Sequence, residues 1–151
     1  MAETFLTNQF LIAMPGMTDP NFAQTVTLVC EHNAQGALGI IINRPLSMTL
    51  GEVFTQLGLD SSRSKIAADA VLQGGPVQTD RGFVLHSPGP RWDSTLPVSD
   101  RLHLTTSRDI LDALASGQGP ERAIVALGYA GWEAGQLEDE MARNAWLSVD
   151  A

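Results

Sequence analysis

The chain has 151 residues, of which 44% are hydrophobic and 17% are charged, and this size and composition are typical of one globular domain. Seventeen acidic residues against nine basic residues give a net charge of −8, which repels nucleic acids and anionic lipids. The basic residues are also scattered along the sequence, so direct DNA binding is disfavoured. No apolar run approaches the ~20 residues that cross a bilayer, so we expect no membrane insertion.

Two features of the sequence bear on the cellular compartment. Residues Met1 to Thr4 lack the basic residues and the long apolar stretch of a secretion signal. Cys30 is the single cysteine, so no internal disulfide can form. Both features are typical of a reducing compartment, and we expect a cytoplasmic protein.

The first half of the chain is predicted to begin with strands and to continue into a helix. Apolar segments at 10–13, 26–31 and 37–43 are bounded by turn residues, and the short polar loop between the last two indicates a hairpin. Thr49 and Glu52 have the spacing of a capping box, and Gly58 lies where a glycine often follows a helix. A first helix is therefore predicted over residues 50–57.

The next segment is predicted to hold short strands and a loop before the second helix. Strands are predicted at residues 71–73, 82–86 and 102–104, with a proline-rich loop at 87–97. Thr106 and Asp109 repeat the capping pattern, so a second helix is expected to follow them and to end at Gly117.

The last segment is predicted to alternate between strand and helix. The continuous apolar run 123–127 indicates a strand that is buried on both faces. A third helix is predicted over about 134–144, and a final strand over 146–149. Because hairpins come first and helices are interspersed later, the order favours an α+β fold with a mixed sheet over a regular βαβ fold.

Asn43 and Arg44 follow directly after the apolar residues 40–42. A guanidinium group with five donors at the end of a central strand could bind an anion or a carboxylate. The alternative is that Arg44 pairs with a nearby acidic side chain and closes the edge of the sheet.

Gly74 and Gly75 permit unusual backbone angles and the close approach of another chain segment or a ligand. The segment lacks the lysine and the hydroxyl residue of a phosphate-binding loop, and a tight turn is the favoured explanation. No nucleotide-binding motif is present, and we predict no cofactor.

His32, His86 and His103 lie in different segments, and Cys30 with His32 supplies only two ligands, so no metal site is predicted. His32 or His86 could act as an acid or base, with Arg44 holding an anionic substrate. Cys30 has no catalytic signature around it, and a buried structural role is the commoner one. No catalytic residue is assigned.

Trp132, Gln136 and Glu140 recur at a spacing of four residues, so in a helix they would point the same way. With the neighbouring acidic residues, they predict either a surface for a partner or cation, or a solvated acidic face.

Several segments, read together and in order, resemble the YqgE/AlgH family. These are Cys30 to Asn33, Gly39 to Pro45, Gln73 to Val77, and Gly128 to Trp132 with Asn144 to Leu147. The resemblance covers nearly the whole chain and implies a largely antiparallel sheet, bent into a pseudo-barrel with flanking helices. It also implies a bacterial protein, in a family that has carried the label of putative transcriptional regulator.

The resemblance places recurring family residues at His32, Asn43, Arg44, Gly74, Gly75, Pro76, His86, Tyr129, Trp132, Gln136, Glu140 and Trp146. It assigns none of them a catalytic role. Family members usually continue past the Trp146 segment, so residues 1–151 are expected to form one domain without the family's C-terminal segment. An exposed strand edge near Val149 is expected to favour self-association.

The preferred hypothesis is a non-enzymatic binding or adaptor domain, regulatory through a protein partner. The alternative is an enzyme or small-anion-binding protein that uses Arg44 with His32 or His86. A direct DNA-binding regulator is the least favoured class. The candidate binding residues are His32, Asn43, Arg44, Gly74, Gly75, His86, Trp132, Gln136 and Glu140.

Overall fold

The computed structural model describes residues 5–89 and 92–151. The first four residues, with the expected lack of a secretion signal, and the middle of the loop predicted at 87–97 lie outside this part of the chain. The described elements are β1 (Gln9–Ala13), β2 (Val26–Asn33), β3 (Gly36–Ile41), β4 (Pro45–Thr49), α1 (Leu50–Gln56), β5 (Ala70–Gln73), β6 (Val77–His86), β7 (Thr95–Ser99), β8 (Leu102–Thr105), α2 (Arg108–Ala115), β9 (Ala123–Glu133), α3 (Gln136–Ala142) and β10 (Trp146–Asp150).

The strands form one mixed, mostly antiparallel sheet that curls into a half-barrel, with the three helices around it. The strand order is β10-β1-β2-β3-β9-β6-β8-β7, and β5 joins β4 to the side of β9. The pairing of β5 with β9 is parallel, and the other pairings among the described residues are antiparallel. The predicted α+β fold is therefore confirmed.

The two faces of the sheet carry different packing. The inner, concave face holds a cluster that includes Leu28, Ile40 and Phe83. The outer face holds two clusters to which the helices contribute, with Phe54 of α1 in one cluster and Leu137 of α3 in the other. The helices thus cover the outer face, while the residues of the inner cluster are buried against one another within the curl of the sheet.

Strand β9 runs through the middle of the sheet and changes its alternation part-way. Ala126 and Tyr129 both face the inner cluster, although they are three residues apart. Gly128, which lies between them, has a φ of 79°, a left-handed conformation that glycine adopts without a steric penalty. The kink at Gly128 therefore shifts the alternation of side chains between the two faces by one residue, so that Trp132 faces the outer cluster.

Both predicted signals at the ends of α1 are present. The side chain of Thr49 accepts a hydrogen bond from the Glu52 amide at 3.3 Å, as a capping residue does. Gly58 follows the helix with a φ of 74°.

The cap of α2 differs from its prediction. Ser107 is the capping residue, while Thr106 donates its hydroxyl to the Ser94 side chain at 3.0 Å. The prediction of Thr106 as the capping residue was wrong, because its hydroxyl is hydrogen-bonded to Ser94, which lies outside the helix.

Several strand boundaries also differ from those predicted. β9 continues to Glu133 through a glycine-containing segment because β3 pairs with it, and α3 starts only at Gln136. β6 begins at Val77, before its apolar part, and β4 was not predicted at all. β7 starts at Thr95, inside the segment predicted as loop, because it pairs with β8.

Candidate functional site

Arg44 is fixed by the backbone of the loop before β2. Its guanidinium donates to the carbonyls of Asn21 at 2.8 Å and of Pro20 and Ala23 at 3.0 Å each. The contacts are therefore backbone carbonyls rather than the acidic side chain weighed from the sequence. Because these bonds occupy both terminal nitrogens, Arg44 serves to hold this loop against the sheet.

Asn43 extends the same arrangement along β2. Its Oδ1 accepts from the Val26 amide at 2.9 Å, and its Nδ2 donates to the Gln24 carbonyl at 3.0 Å. The side-chain amide thus satisfies two backbone groups where the ladder of β2 and β3 ends. Asn43 and Arg44 together tie residues 20–26 to the end of β3.

Gly74 and Gly75 lie where the backbone after β5 approaches the backbone of β9. A Cβ atom on Gly75, whose φ is 157°, would lie 2.1 Å from the Tyr129 carbonyl carbon, and one on Gly74 would lie 2.4 Å from the Gly128 oxygen. The Gly74 amide also donates to Leu127 at 2.8 Å. The close approach expected of these glycines is therefore to another segment of the same chain.

His32 is buried and both of its ring nitrogens are engaged. The Leu6 amide donates to Nδ1 at 2.9 Å, so the ring hydrogen lies on Nε2. Nε2 then donates to Glu138 Oε1 at 2.9 Å. This hydrogen bond is the largest of the effects that lower the pKa of Glu138, and it joins β2 to α3.

Glu140 accepts three N–H groups, two of them from indole rings. Its Oε1 accepts from Trp132 Nε1 at 3.0 Å and from Trp146 Nε1 at 2.9 Å, and its Oε2 accepts from Gln136 at 3.0 Å. The two tryptophans are 6% and 4% exposed, and Phe22 packs against both rings. The predicted grouping of Trp132, Gln136 and Glu140 thus exists as a hydrogen-bonded network that also includes Trp146.

His86 lies at the end of β6, and its ring is on the outer face of the sheet, the face of Val84 and its cross-strand partner Thr105. Its Nδ1 donates to the Ser87 carbonyl at 2.9 Å, which leaves Nε2 to accept from the Thr105 hydroxyl at 2.6 Å. Burial is the largest effect on this ring and lowers its pKa, with a smaller contribution from His103. His86 is therefore a neutral ring that is tied to β8.

Cys30 is buried in the inner cluster. Burial raises the pKa of its thiol to about 12, so the reactive thiolate is scarce at neutral pH.

An apolar pocket of about 250 Å³ opens on the inner face. Its walls come from both sides of the half-barrel, and Ile124 in its lining is 48% exposed. This exposure corrects the prediction that residues 123–127 are buried on both faces. The pocket is lined by Phe10, Leu28, Ile42, Leu85, His86, Ser87, Arg101, Leu102, Arg122, Ala123 and Ile124.

The predicted site residues do not converge on one surface. Gln136 and Glu140 lie on α3, the helix that binds His32, and share a network with Trp132. The ring of His86 is bonded to Thr105 on another part of the outer face, and the residue borders the inner pocket at the end of β6. Arg101 and Arg122, which line the same pocket as His86, were not predicted as site residues. Arg101 lies in a turn and Arg122 in a bend, and neither belongs to a recognisable motif, so the pairing of distant strands brings them together.

Two further observations limit the chemistry of the described residues. Within residues 5–89 and 92–151, no three His, Cys, Asp or Glu side chains are grouped so that they could hold a metal ion. In the same part of the chain, no helix combines the length and the apolar character needed to cross a membrane.

Comparison with known proteins identifies the relatives of this chain. The profile of the AlgH-like family matches residues 10–151. A UPF0301 protein from Thioalkalivibrio sulfidiphilus is 58% identical over 150 residues, which cover 99% of this chain and 80% of that protein. A UPF0301 protein from Methylococcus capsulatus is also 58% identical, over 96% of this chain and 77% of that protein.

Solved structures agree with this assignment. The solution structure of the AlgH protein from Pseudomonas aeruginosa matches with a TM-score of 0.84 and 53% identity, over 100% of this chain and 80% of that one. A Corynebacterium diphtheriae protein with 20% identity shares the fold, with a TM-score of 0.77 over 99% of this chain and 78% of its own. The family resemblance predicted from the sequence motifs is confirmed, and the chain belongs to the AlgH-like family.

Proposed function

We propose that this chain is a non-enzymatic binding domain whose ligand site is the apolar pocket on the inner face of the half-barrel. The observation that carries the proposal is the pocket itself, where partly exposed apolar side chains such as Ile124 and Leu102 line a concavity of about 250 Å³. Concave and mostly apolar sites of this kind are typical of small-molecule binding. The volume of this pocket is slightly below the ~300 Å³ at which most ligand pockets begin. The ligand is therefore small.

The state of the candidate catalytic groups supports binding over catalysis. His32 and His86 each use both ring nitrogens in hydrogen bonds to the protein. Arg44 is committed to three backbone carbonyls, and burial holds the Cys30 thiol in its protonated form. An acid, base or nucleophile must reach its substrate, so the enzyme alternative built on Arg44 with His32 or His86 would require these bonds to break.

The DNA-binding alternative gains no support from the helices. Arg108 begins α2, but its guanidinium pairs with Asp112 at 3.6 Å and donates to the Leu57 carbonyl at 2.9 Å. The net charge of −8 opposes binding to phosphates. Regulation through a protein partner is compatible with a binding domain. Such a partner would distinguish the ligand-bound chain from the ligand-free chain.

A neutral fluorescent probe tests the proposal. N-phenyl-1-naphthylamine, which is apolar and uncharged, is expected to gain fluorescence on binding to the wild-type chain. Ile124→Asp places a charge in the pocket wall and should weaken binding at least tenfold, because an unpaired charge is costly next to a bound apolar group. Ile124 is 48% exposed, so the substitution should leave the fold intact.

Leu147→Asp is the matched control, because Leu147 is 52% exposed but does not line the pocket. It should retain the affinity of the wild-type chain. Equal loss in both variants, or no binding to the wild-type chain, would refute the pocket as the ligand site. Equal thermal midpoints are required for the comparison.

A further inference from the structure

The pocket on the inner face combines apolar walls with two cationic residues. Arg101 lies in the turn between β7 and β8, and Arg122 directly precedes β9. Both side chains are exposed and both line the pocket. Two arginines at one pocket are notable in a chain that carries only nine basic residues and a net charge of −8.

Among residues 5–89 and 92–151, no side chain or backbone group binds the guanidinium of either arginine. The ion pairs among the described residues involve other side chains, namely His32, Arg108 and Arg143 with their acidic partners. The hydrogen bonds found at Arg101 and Arg122 use their backbone groups, not their guanidinium groups. Both charges therefore remain available to a ligand, in contrast to the charge of Arg44.

The arrangement separates apolar and charged surface within one site. Since the other lining residues are mainly apolar, the two arginines contribute their aliphatic stems to the wall, and their charged ends lie toward solvent at the rim. His86 adds no charge to the pocket, because its ring lies on the outer face of the sheet, where it is hydrogen-bonded to Ser87 and Thr105. A ligand that fills the pocket meets apolar groups inside and positive charge at the opening.

On the basis of the function proposed above, we propose that the ligand is a single-chain amphiphilic anion, a medium-chain carboxylate whose alkyl chain fills the pocket and whose carboxylate binds Arg101 and Arg122. The volume sets the chain length. About 250 Å³ holds roughly eight groups of ~30 Å³, the share of volume that a water molecule occupies in the liquid. Arginine suits the head group because its planar donors match a carboxylate.

The test compares octanoate with 1-octanol by isothermal titration calorimetry on the full chain. The two probes share an eight-carbon chain and differ in the charge of the head group. Octanoate is expected to bind at least tenfold more tightly, and raising the salt concentration should reduce this advantage because the arginines are exposed. Shortening the chain to hexanoate should weaken binding about fourfold for each methylene removed.

Variants of the two arginines locate the head group. Arg101→Gln and Arg122→Gln should each weaken octanoate about three- to tenfold and leave 1-octanol unchanged. Arg63→Gln removes the same charge from an exposed arginine outside the pocket and should change neither affinity. All three sites are exposed, so folding should be preserved, and equal thermal midpoints check this.

The outcomes separate this inference from the proposed function. If 1-octanol and octanoate bind equally well, or if the two pocket arginine variants retain full octanoate affinity, the anionic ligand is refuted while an apolar binding site stands. If neither probe binds and the neutral fluorescent probe also fails, both proposals are overturned.

Discussion

Replacing Glu140 with alanine tests whether the tryptophan network stabilises the fold or is available to a ligand. Glu140 is the common acceptor for Trp132, Trp146 and Gln136, at 2.9 to 3.0 Å. Alanine removes both carboxylate oxygens at once. The two indole N–H groups then lose their partner within rings that are 6% and 4% exposed.

The expected cost follows from the hydrogen bonds that are lost. A buried donor left without an acceptor costs about 1–3 kcal/mol, and two indoles are affected. Glu140 itself is half-buried, so water can partly replace it, and we expect Glu140→Ala to lower the free energy of unfolding by about 2–4 kcal/mol.

Glu140→Gln should cost less, about 1 kcal/mol, because one carbonyl oxygen can still accept from the indoles. Its new amide nitrogen would meet the Gln136 amide nitrogen. Gln136 cannot turn over without loss, since its own oxygen accepts from the Glu133 amide at 2.9 Å. The two substitutions at Glu140 are therefore expected to form a graded series.

Urea unfolding followed by far-ultraviolet circular dichroism measures both variants. Glu133→Ala is the matched control, because Glu133 is an exposed glutamate at the end of β9, and a change below about 0.5 kcal/mol is expected there. If Glu140→Ala also changes stability by less than this amount, the network does not stabilise the fold. Trp132, Gln136 and Glu140 would then regain support as a binding surface.

Three other predictions address the backbone, the titration and the assembly of the chain. Gly75→Ala should cost at least about 3 kcal/mol or prevent folding, because its Cβ would lie 2.1 Å from Tyr129, whereas Gly16→Ala, with nothing within 4 Å of its Cβ, should be tolerated; urea unfolding measures both. Burial lowers the folded-state pKa of His86 below 6.5, so the unfolded chain binds the proton more readily and the free energy of unfolding should fall as pH drops through about 6.5; a His86→Gln variant that shows the same fall would contradict this. Self-association through the exposed edge of β10 should give a concentration-dependent dimer in sedimentation experiments, and Val149→Lys should abolish it; a wild-type chain that stays monomeric at every concentration would refute the prediction.

The sequence predicted those parts of the fold that depend on local signals. The ends of α1 follow from Thr49 and Gly58, which act on their own helix. Strands β4 and β7 were missed although both alternate apolar and polar residues, because each contains a proline, Pro45 or Pro97, and proline argues against a strand when only the sequence is read. Each strand forms through pairing with β5 or β8. The extension of β9 through Gly128 likewise depends on β3, which is remote in sequence.

The candidate site shows the same division. The spacing of Gln136 and Glu140 correctly predicted that they lie together, since residues four apart share a helix face. Trp132 joins them from the end of β9, so its helical spacing did not give the correct reason for its position. The participation of Trp146 could not be predicted, because it reaches Glu140 from the start of β10. Arg101 and Arg122 meet at one pocket only because β8, β6 and β9 are adjacent in the sheet.

The central position of β9 has a consequence for synthesis of the chain. β9 joins β3 on one side to β6 on the other, yet it is made only after residue 122. At ~5–20 residues per second, a ribosome needs roughly 6–25 s to reach that point. Until then the strands β1–β3 and β6–β8 cannot be joined, and the edges of β3 and β6 that β9 will cover stay open to other chains. Nascent chains stalled at residue 122 should therefore be digested rapidly by protease and captured by chaperones, whereas chains released after β10 should resist digestion.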